Sequence, residues 1–127
     1  MKRRICVAAV VALNVLLLAG DVLAQADPAG GQNRTKVKDV LTAVAGGSCP
    51  DKLMGALLLD QCEMQLPKMS ESLRRLGAIK ELRFRGTDTA PTGVEVEVYR
   101  VVFANGQMTW MAATGPNGKL SVLWSPG

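Results

Sequence analysis

The chain has 127 residues, and its 15 Lys and Arg residues outnumber its 11 Asp and Glu residues, for a formal charge of +4. It contains no histidine, which excludes Ser-His-Asp and Cys-His catalysis and leaves no imidazole to complete a zinc site. Gly-x-Gly-x-x-Gly and phosphate-loop patterns are absent as well. This length supports one domain with a modest core, for which we predict no catalytic residue, no metal and no cofactor.

The first 26 residues have the layout of a secretory signal peptide. Basic residues at positions 2–4 precede an apolar run over residues 5–20, and small residues follow at Ala24 and Ala26. We predict cleavage after Ala24 or Ala26. The predicted location is the periplasm, with secretion beyond the cell envelope as the alternative.

Cleavage of this segment removes three basic residues and one acidic residue, so the formal charge falls from +4 to +2. A charge this small, spread over about 100 residues, does not favour a nucleic-acid partner. The apolar run is shorter than the roughly 20 residues of a spanning helix. Asp21 also stands where a bacterial lipoprotein would carry its lipid-modified cysteine. We therefore predict no stable membrane anchor.

Two cysteines remain after the predicted cleavage, because Cys6 lies inside the signal peptide. An even pair in an exported chain favours a structural disulfide between Cys49 and Cys62. In the chain-entropy model, such a bond contributes about 3 kcal/mol. A redox-active pair and a metal site are the alternatives, but the spacing is far from Cys-x-x-Cys.

The small and polar residues 27–33 predict a flexible lead-in to a single α+β domain over residues 34–127. The first helix of this domain is indicated by an apolar stripe at positions i, i+3, i+4 and i+7. Gly46 and Gly47 are predicted to end it. The stripe consists of Val37, Val40, Leu41 and Val44.

Two further helices are predicted before the chain changes its periodicity. The second begins at Ser48 or Cys49. If it ran straight to the other cysteine it would span about 20 Å, far more than a disulfide reaches, so the segment must bend, near Gly55. The third helix begins at Pro67 and ends at Gly77.

From residue 78 onward, apolar and polar residues alternate with a period of two, which indicates strands. Asn105 and Gly106 are predicted to form a two-residue hairpin turn. The expected architecture is α+β, with the N-terminal helices packed on one face of a curved four-stranded antiparallel sheet. The four predicted strands cover residues 79–86, 93–104, 107–114 and 119–125.

The pairing of the first two strands is predicted from their charges. Arg85 is placed opposite Glu95, and Arg83 opposite Glu97. This register joins opposite charges on one face and apolar side chains on the other, whereas a slip of one residue would not.

The predicted turn then sets the pairing of the next two strands. It places Val101 opposite Trp110 and Tyr99 opposite Ala112. The apolar parity of the second strand changes between Val98 and Tyr99, which predicts a β-bulge there.

The C-terminal half resembles a known family in its order of strands and turns. Residues 76–86 lead into a hairpin over residues 99–106, which is followed by Trp110 and a closing turn over residues 115–120. This order resembles small exported bacterial domains of the nuclear-transport-factor-2-like superfamily, whose fold is a cystatin-like cone. The resemblance implies a cone built by helices and a curved sheet. It also implies pairing of two copies through their sheets, that is, a homodimer.

Enzymes of that superfamily place an acidic residue, a histidine or a tyrosine inside the cone. The candidates here are Tyr99, Trp110 and Trp124, which could line a pocket for a small apolar ligand or simply form the core. Asp60 and Glu63 lie one helical turn apart and could face the same cavity. Carboxylates at this spacing more often lie on a solvent-exposed helix face.

We therefore predict an exported, non-catalytic binding or interaction module. One alternative is a binder of small apolar ligands, or an isomerase-like enzyme, that uses the cone cavity. The other is an inhibitor or immunity protein for another exported protein. The expected partners are thus a small apolar ligand, a protein or a second copy of the chain.

Overall fold

The computed structural model describes residues 27–127, so the predicted signal peptide lies outside the described residues. Within these residues, two helices precede a four-stranded antiparallel sheet whose strands follow each other in chain order. The α+β class predicted from the sequence is therefore confirmed. The elements are α1 (Arg34–Ala45), α2 (Ala56–Leu76), β1 (Ile79–Thr89), β2 (Glu95–Phe103), β3 (Gly106–Thr114) and β4 (Leu120–Trp124).

Both helices contribute to one hydrophobic core with the inner face of the sheet. Helix α1 buries the predicted stripe and ends at Ala45, before Gly46 and Gly47. Gly47 has a φ of +96°. The core formed with the sheet includes Val37, Val40, Leu41, Val44, Leu58, Leu73, Leu82, Tyr99, Val101, Phe103, Trp110 and Leu120. Within residues 27–127, no helix is long and apolar enough to cross a membrane.

The prediction of separate second and third helices is wrong, because α2 is one helix of 21 residues. It begins after Gly55 rather than at Ser48 or Cys49, and it continues through Pro67. A proline inside a helix removes one backbone hydrogen bond, but a continuous stripe of buried and half-buried side chains against the core offsets this loss. The residues of that stripe that contact the core are Leu58, Cys62, Leu66, Met69, Leu73 and Leu76.

The predicted bend near Gly55 and the disulfide are both confirmed. Residues 49–55 form a loop that turns at Gly55 into α2, so that Cys49 reaches Cys62 with a Cα–Cα distance of 6.2 Å. The loop also touches the sheet: the Gly55 amide donates to the Leu120 carbonyl, and the Leu120 amide donates to the Leu53 carbonyl, both at 2.8 Å.

The predicted pairing of β1 with β2 is wrong. The structure sets Leu82 opposite Val101 and Phe84 opposite Tyr99, and Arg83 consequently faces Arg100 rather than Glu97. The prediction weighted charge pairs on the exposed face. Register is decided instead by the burial of apolar side chains on the inner face, because this burial contributes more free energy than exposed charge pairs do.

The pairing of β2 with β3 differs from the prediction by two residues. Tyr99 lies opposite Trp110, and Phe103 lies opposite Gly106, so Ala104 and Asn105 form the turn. Asn105 does not have the positive φ that the predicted Asn-Gly turn requires. A shift of two residues leaves every side chain on its predicted face.

A β-bulge is present, but on the neighbouring strand. The β1–β2 pair has register shifts between Ile79 and Glu81 and between Phe84 and Gly86, whereas β2 pairs with β3 without interruption from Glu97 to Phe103. Because Phe84 faces Tyr99 and Gly86 faces Val98, the bulge is beside the predicted position. The change of parity in β2 therefore reflects an extra residue on its partner strand.

Candidate functional site

An apolar cleft of about 560 Å³ opens between the two helices and the β3–β4 side of the sheet. Its floor is the inner face of the sheet, and its walls come from α1, α2 and the loop before α2. We call this site the apolar cleft. It is lined by Val40, Leu41, Val44, Met54, Leu58, Gln61, Cys62, Gln65, Met69, Met108, Trp110, Ser121, Val122, Leu123, Trp124 and Ser125.

Among residues 27–127, the lining of the apolar cleft contains no ionisable side chain, since Cys62 is disulfide-bonded. Its polar side chains are two glutamines and two serines: Gln61, Gln65, Ser121 and Ser125. Three methionines, Met54, Met69 and Met108, supply unbranched and adaptable surface that can fit ligands of different shape. This composition suits a neutral apolar ligand, because such pockets combine an apolar wall with a few polar groups.

Both tryptophans of the chain line this cleft, as the sequence suggested for a pocket. Trp110 is 4% exposed, and its indole Nε1 has no hydrogen-bond acceptor among the described residues. Trp124 is 56% exposed at the end of β4. Trp110 therefore lies inside the cleft, whereas Trp124, which lies opposite Met111 in the β3–β4 pair, borders the mouth of the cleft at the open edge of β4.

The structure does not bring Asp60 and Glu63 into the cleft. Both carboxylates lie on the exposed surface of α2, whereas their neighbours Gln61 and Cys62 line the cleft. The helix turns by about 100° per residue, so adjacent positions point in different directions. Within the described part of the chain, no cluster of three His, Cys, Asp or Glu residues could hold a metal ion.

Tyr99 is fully buried but lies outside the cleft, in a polar cluster with Glu97 and Asn33. The Glu97 carboxylate accepts four hydrogen bonds of 2.8 Å each: from the backbone amides of Gln32 and Asn33, from Asn33 Nδ2 and from the Tyr99 hydroxyl. The Asn33 side chain also accepts a hydrogen bond from the hydroxyl of Thr114. We call Asn33, Glu97, Tyr99 and Thr114 the polar cluster.

The polar cluster holds the segment before α1 against the sheet. The Phe84 amide donates a further hydrogen bond of 2.9 Å to the Pro28 carbonyl. Gly31 has a φ of +94°, and a Cβ atom there would collide with the Tyr99 hydroxyl. The segment that the sequence marks as a lead-in, residues 27–33, thus makes specific contacts. The contacts depend on Glu97, an inner-face carboxylate for which the sequence predicted a charge pair with Arg83 on the opposite face.

The pKa values of the polar cluster follow from these contacts. Burial alone would raise the pKa of Glu97, but the hydrogen bonds donated by Gln32, Tyr99 and Asn33 outweigh burial and lower it. Burial, together with the hydrogen bond to Glu97 and its charge, raises the pKa of Tyr99. The ionised carboxylate and the neutral phenol are therefore the stable pair.

The lowered pKa of Glu97 predicts a loss of stability in acid. A carboxyl group whose pKa is lower in the folded state stabilises the protein above its unfolded pKa, about 4.3 for Glu, and loses this contribution as the pH falls through the folded pKa. We expect the free energy of unfolding to fall between about pH 5 and pH 2. Urea unfolding at a series of pH values should show a smaller fall in Glu97→Gln. An equal fall in both proteins would contradict this assignment.

The chain was also compared with known proteins. It matches no family model, and no match to it was found among curated proteins or solved structures.

Proposed function

We propose that the protein is a non-catalytic binding module that holds a small apolar ligand in the apolar cleft. The observation that carries this proposal is that the cleft is partly open and that its lining is apolar, with no ionisable group from the described part of the chain. A well-formed apolar pocket with a few polar groups is the usual form of a small-ligand site.

The same lining argues against the isomerase-like alternative. Acid–base catalysis needs a titratable group within hydrogen-bonding reach of the substrate. The two carboxylates considered for this role, Asp60 and Glu63, lie outside the cleft. Tyr99 is enclosed by the polar cluster, and its raised pKa keeps the phenol neutral at pH 7, so no phenolate is present to act as a base.

We further propose that the protein works in the periplasm and that its fold is a variant of the cystatin-like cone. A disulfide is compatible with an exported protein in an oxidising compartment. The bulge in β1 and the register shift between β3 and β4 curve a sheet, as a cone that wraps around a helix requires. The predicted signal peptide is the remaining support for export.

A fluorescence titration tests the proposed function, because both tryptophans line the cleft. We expect the neutral fluorophore N-phenyl-1-naphthylamine to bind with one-to-one stoichiometry and to quench tryptophan emission by energy transfer. Met69→Lys, which puts an ammonium group into the cleft wall, should weaken this binding about tenfold or more, since burying a charge is costly.

The matched control is Met64→Lys. Met64 lies on the same helix, is 83% exposed and does not line the cleft. We expect its affinity for the fluorophore to stay within about twofold of that of the unchanged protein, because surface substitutions are usually near neutral. Equal weakening in both variants, or no saturable binding to the unchanged protein, would refute the proposed function.

A second candidate function is the pairing of two copies through the outer face of the sheet. Val98, Met111 and Trp124 form one row across β2, β3 and β4, and Trp124 is 56% exposed. Val98 and Met111 are half-buried, and a row of apolar side chains on a sheet surface is typical of a protein interface. Sedimentation equilibrium should then give the mass of two chains, and that of one chain for Met111→Lys. The mass of one chain for the unchanged protein at millimolar concentration would exclude this role.

A further inference from the structure

Two arginines face each other on the outer side of the sheet, away from the apolar cleft. Arg83 of β1 lies directly opposite Arg100 of β2. Like charges in directly opposite positions destabilise a pair of strands. The bulge in β1 adds a third exposed arginine, Arg85, to the same surface.

These side chains line a surface depression of about 810 Å³ in which positive charge predominates. Three arginines are opposed by one carboxylate, that of Glu81. We call this surface the arginine depression. Its lining consists of Glu81, Arg83, Arg85, Val98, Arg100, Val102, Gln107 and Thr109.

Two of the guanidinium groups are held in place by neighbouring side chains. Arg83 donates from Nε to Glu81 at 2.8 Å, and Arg100 donates from Nε to Gln107 at 2.9 Å and from Nη1 to Thr109 at 3.1 Å. Nε is the anchored atom in both residues. The two terminal amino groups of Arg83, and Nη2 of Arg100, have no hydrogen-bond partner within residues 27–127 and remain available to a ligand. Planar N–H pairs held in this way match the oxygens of a tetrahedral oxyanion.

We propose that the arginine depression binds a soluble phosphate-bearing ligand, with Arg83 and Arg100 as its two principal contacts. A dianionic group between them would convert the repulsion of the opposed charges into attraction. Arg85 then supplies a third positive charge at the edge of the depression. This site is independent of the apolar cleft and of the function proposed for it.

A soluble ligand suits this surface better than a membrane does. Recognition of anionic lipid surfaces is typical of clusters of four to eight basic residues. The arginine depression has three, one of which is paired with Glu81. A small polyanion needs only two or three oriented donors, and a concave surface surrounds it better than it fits a flat bilayer.

Thermal unfolding of the full chain with inorganic pyrophosphate tests this proposal. At pyrophosphate concentrations well above its dissociation constant, we expect the melting temperature to rise by about 4 °C or more above that in sodium chloride of equal ionic strength. Arg83→Gln and Arg100→Gln should each lose most of this rise. The control Arg74→Gln, on the exposed surface of α2, should keep it.

A second measurement uses the opposed charges themselves. Without pyrophosphate and at low ionic strength, Arg100→Gln should melt at the same temperature as the unchanged protein or higher, because it removes the repulsion from Arg83. An arginine with a purely structural role would give the opposite result, a lower melting temperature.

Three results would overturn the proposal. The first is an equal rise in sodium chloride, which would show general screening rather than a site. The second is a rise that persists in both arginine variants. The third is binding to phosphatidylglycerol vesicles without any response to pyrophosphate, which would make the surface a membrane contact.

Discussion

Replacement of Glu97 by alanine is expected to lower the free energy of unfolding by about 3 kcal/mol. The carboxylate accepts hydrogen bonds from two backbone amides, the Asn33 side chain and the Tyr99 hydroxyl. Alanine would leave these donors without their acceptor, and each buried donor left unpaired costs about 1–3 kcal/mol. Urea unfolding at neutral pH measures the loss.

Glu95→Ala is the matched control for this substitution. Glu95 is an exposed residue on the same strand, two residues away. Among residues 27–127, no side chain or backbone amide donates a hydrogen bond to its carboxylate. We expect a change within about 0.5 kcal/mol, as for most surface substitutions. If both variants lost the same stability, Glu97 would act only through strand propensity, and the role of the polar cluster would be refuted.

Loss of the disulfide has the second large expected effect. In the chain-entropy model, closing the loop between Cys49 and Cys62 contributes about 3 kcal/mol, a large fraction of the stability of a domain of this size. The double variant Cys49→Ala/Cys62→Ala should therefore unfold at a much lower urea concentration than the oxidised protein. The affinity of the apolar cleft for N-phenyl-1-naphthylamine should also fall, because Cys62 is part of the cleft wall.

Reduction of the unchanged protein is the control for the disulfide. Dithiothreitol should lower its stability to about that of the double variant and should leave the double variant unchanged. A reduced protein as stable as the oxidised one would show that the native loop is already held by its hydrogen bonds to Leu120. The disulfide would then not contribute the predicted stability.

The sequence predicts the elements of this fold better than their pairing. The apolar stripe of α1, the end of that helix at Gly46 and the positions of all four strands follow from local patterns, and so does the disulfide. The pairing of β1 with β2 depends on which side chains the helices cover. Burial of Phe84 against Tyr99 outweighs the exposed charge pairs, a choice that no pattern within a single strand reveals.

The candidate site was predictable only in part. Trp110 and Trp124 were singled out as pocket residues and do line the apolar cleft. Asp60 and Glu63 lie on an exposed face of α2, the position that the sequence favoured for carboxylates at this spacing, and not in the cavity that it gave as the alternative. Glu97 was assigned to the wrong face because the bulge of β1 was placed in β2.

Proton–nitrogen correlation spectra of the ¹⁵N-labelled protein test the account most directly. The chain has two tryptophans, so it gives two indole Nε1–H signals, one from inside the cleft and one from its mouth. On titration with N-phenyl-1-naphthylamine, we predict that both signals shift and saturate together with the backbone amides of Met69 and Leu123. Shifts confined to residues outside the cleft, or no shifts when the fluorophore is present in excess, would contradict a ligand site between the helices and β4.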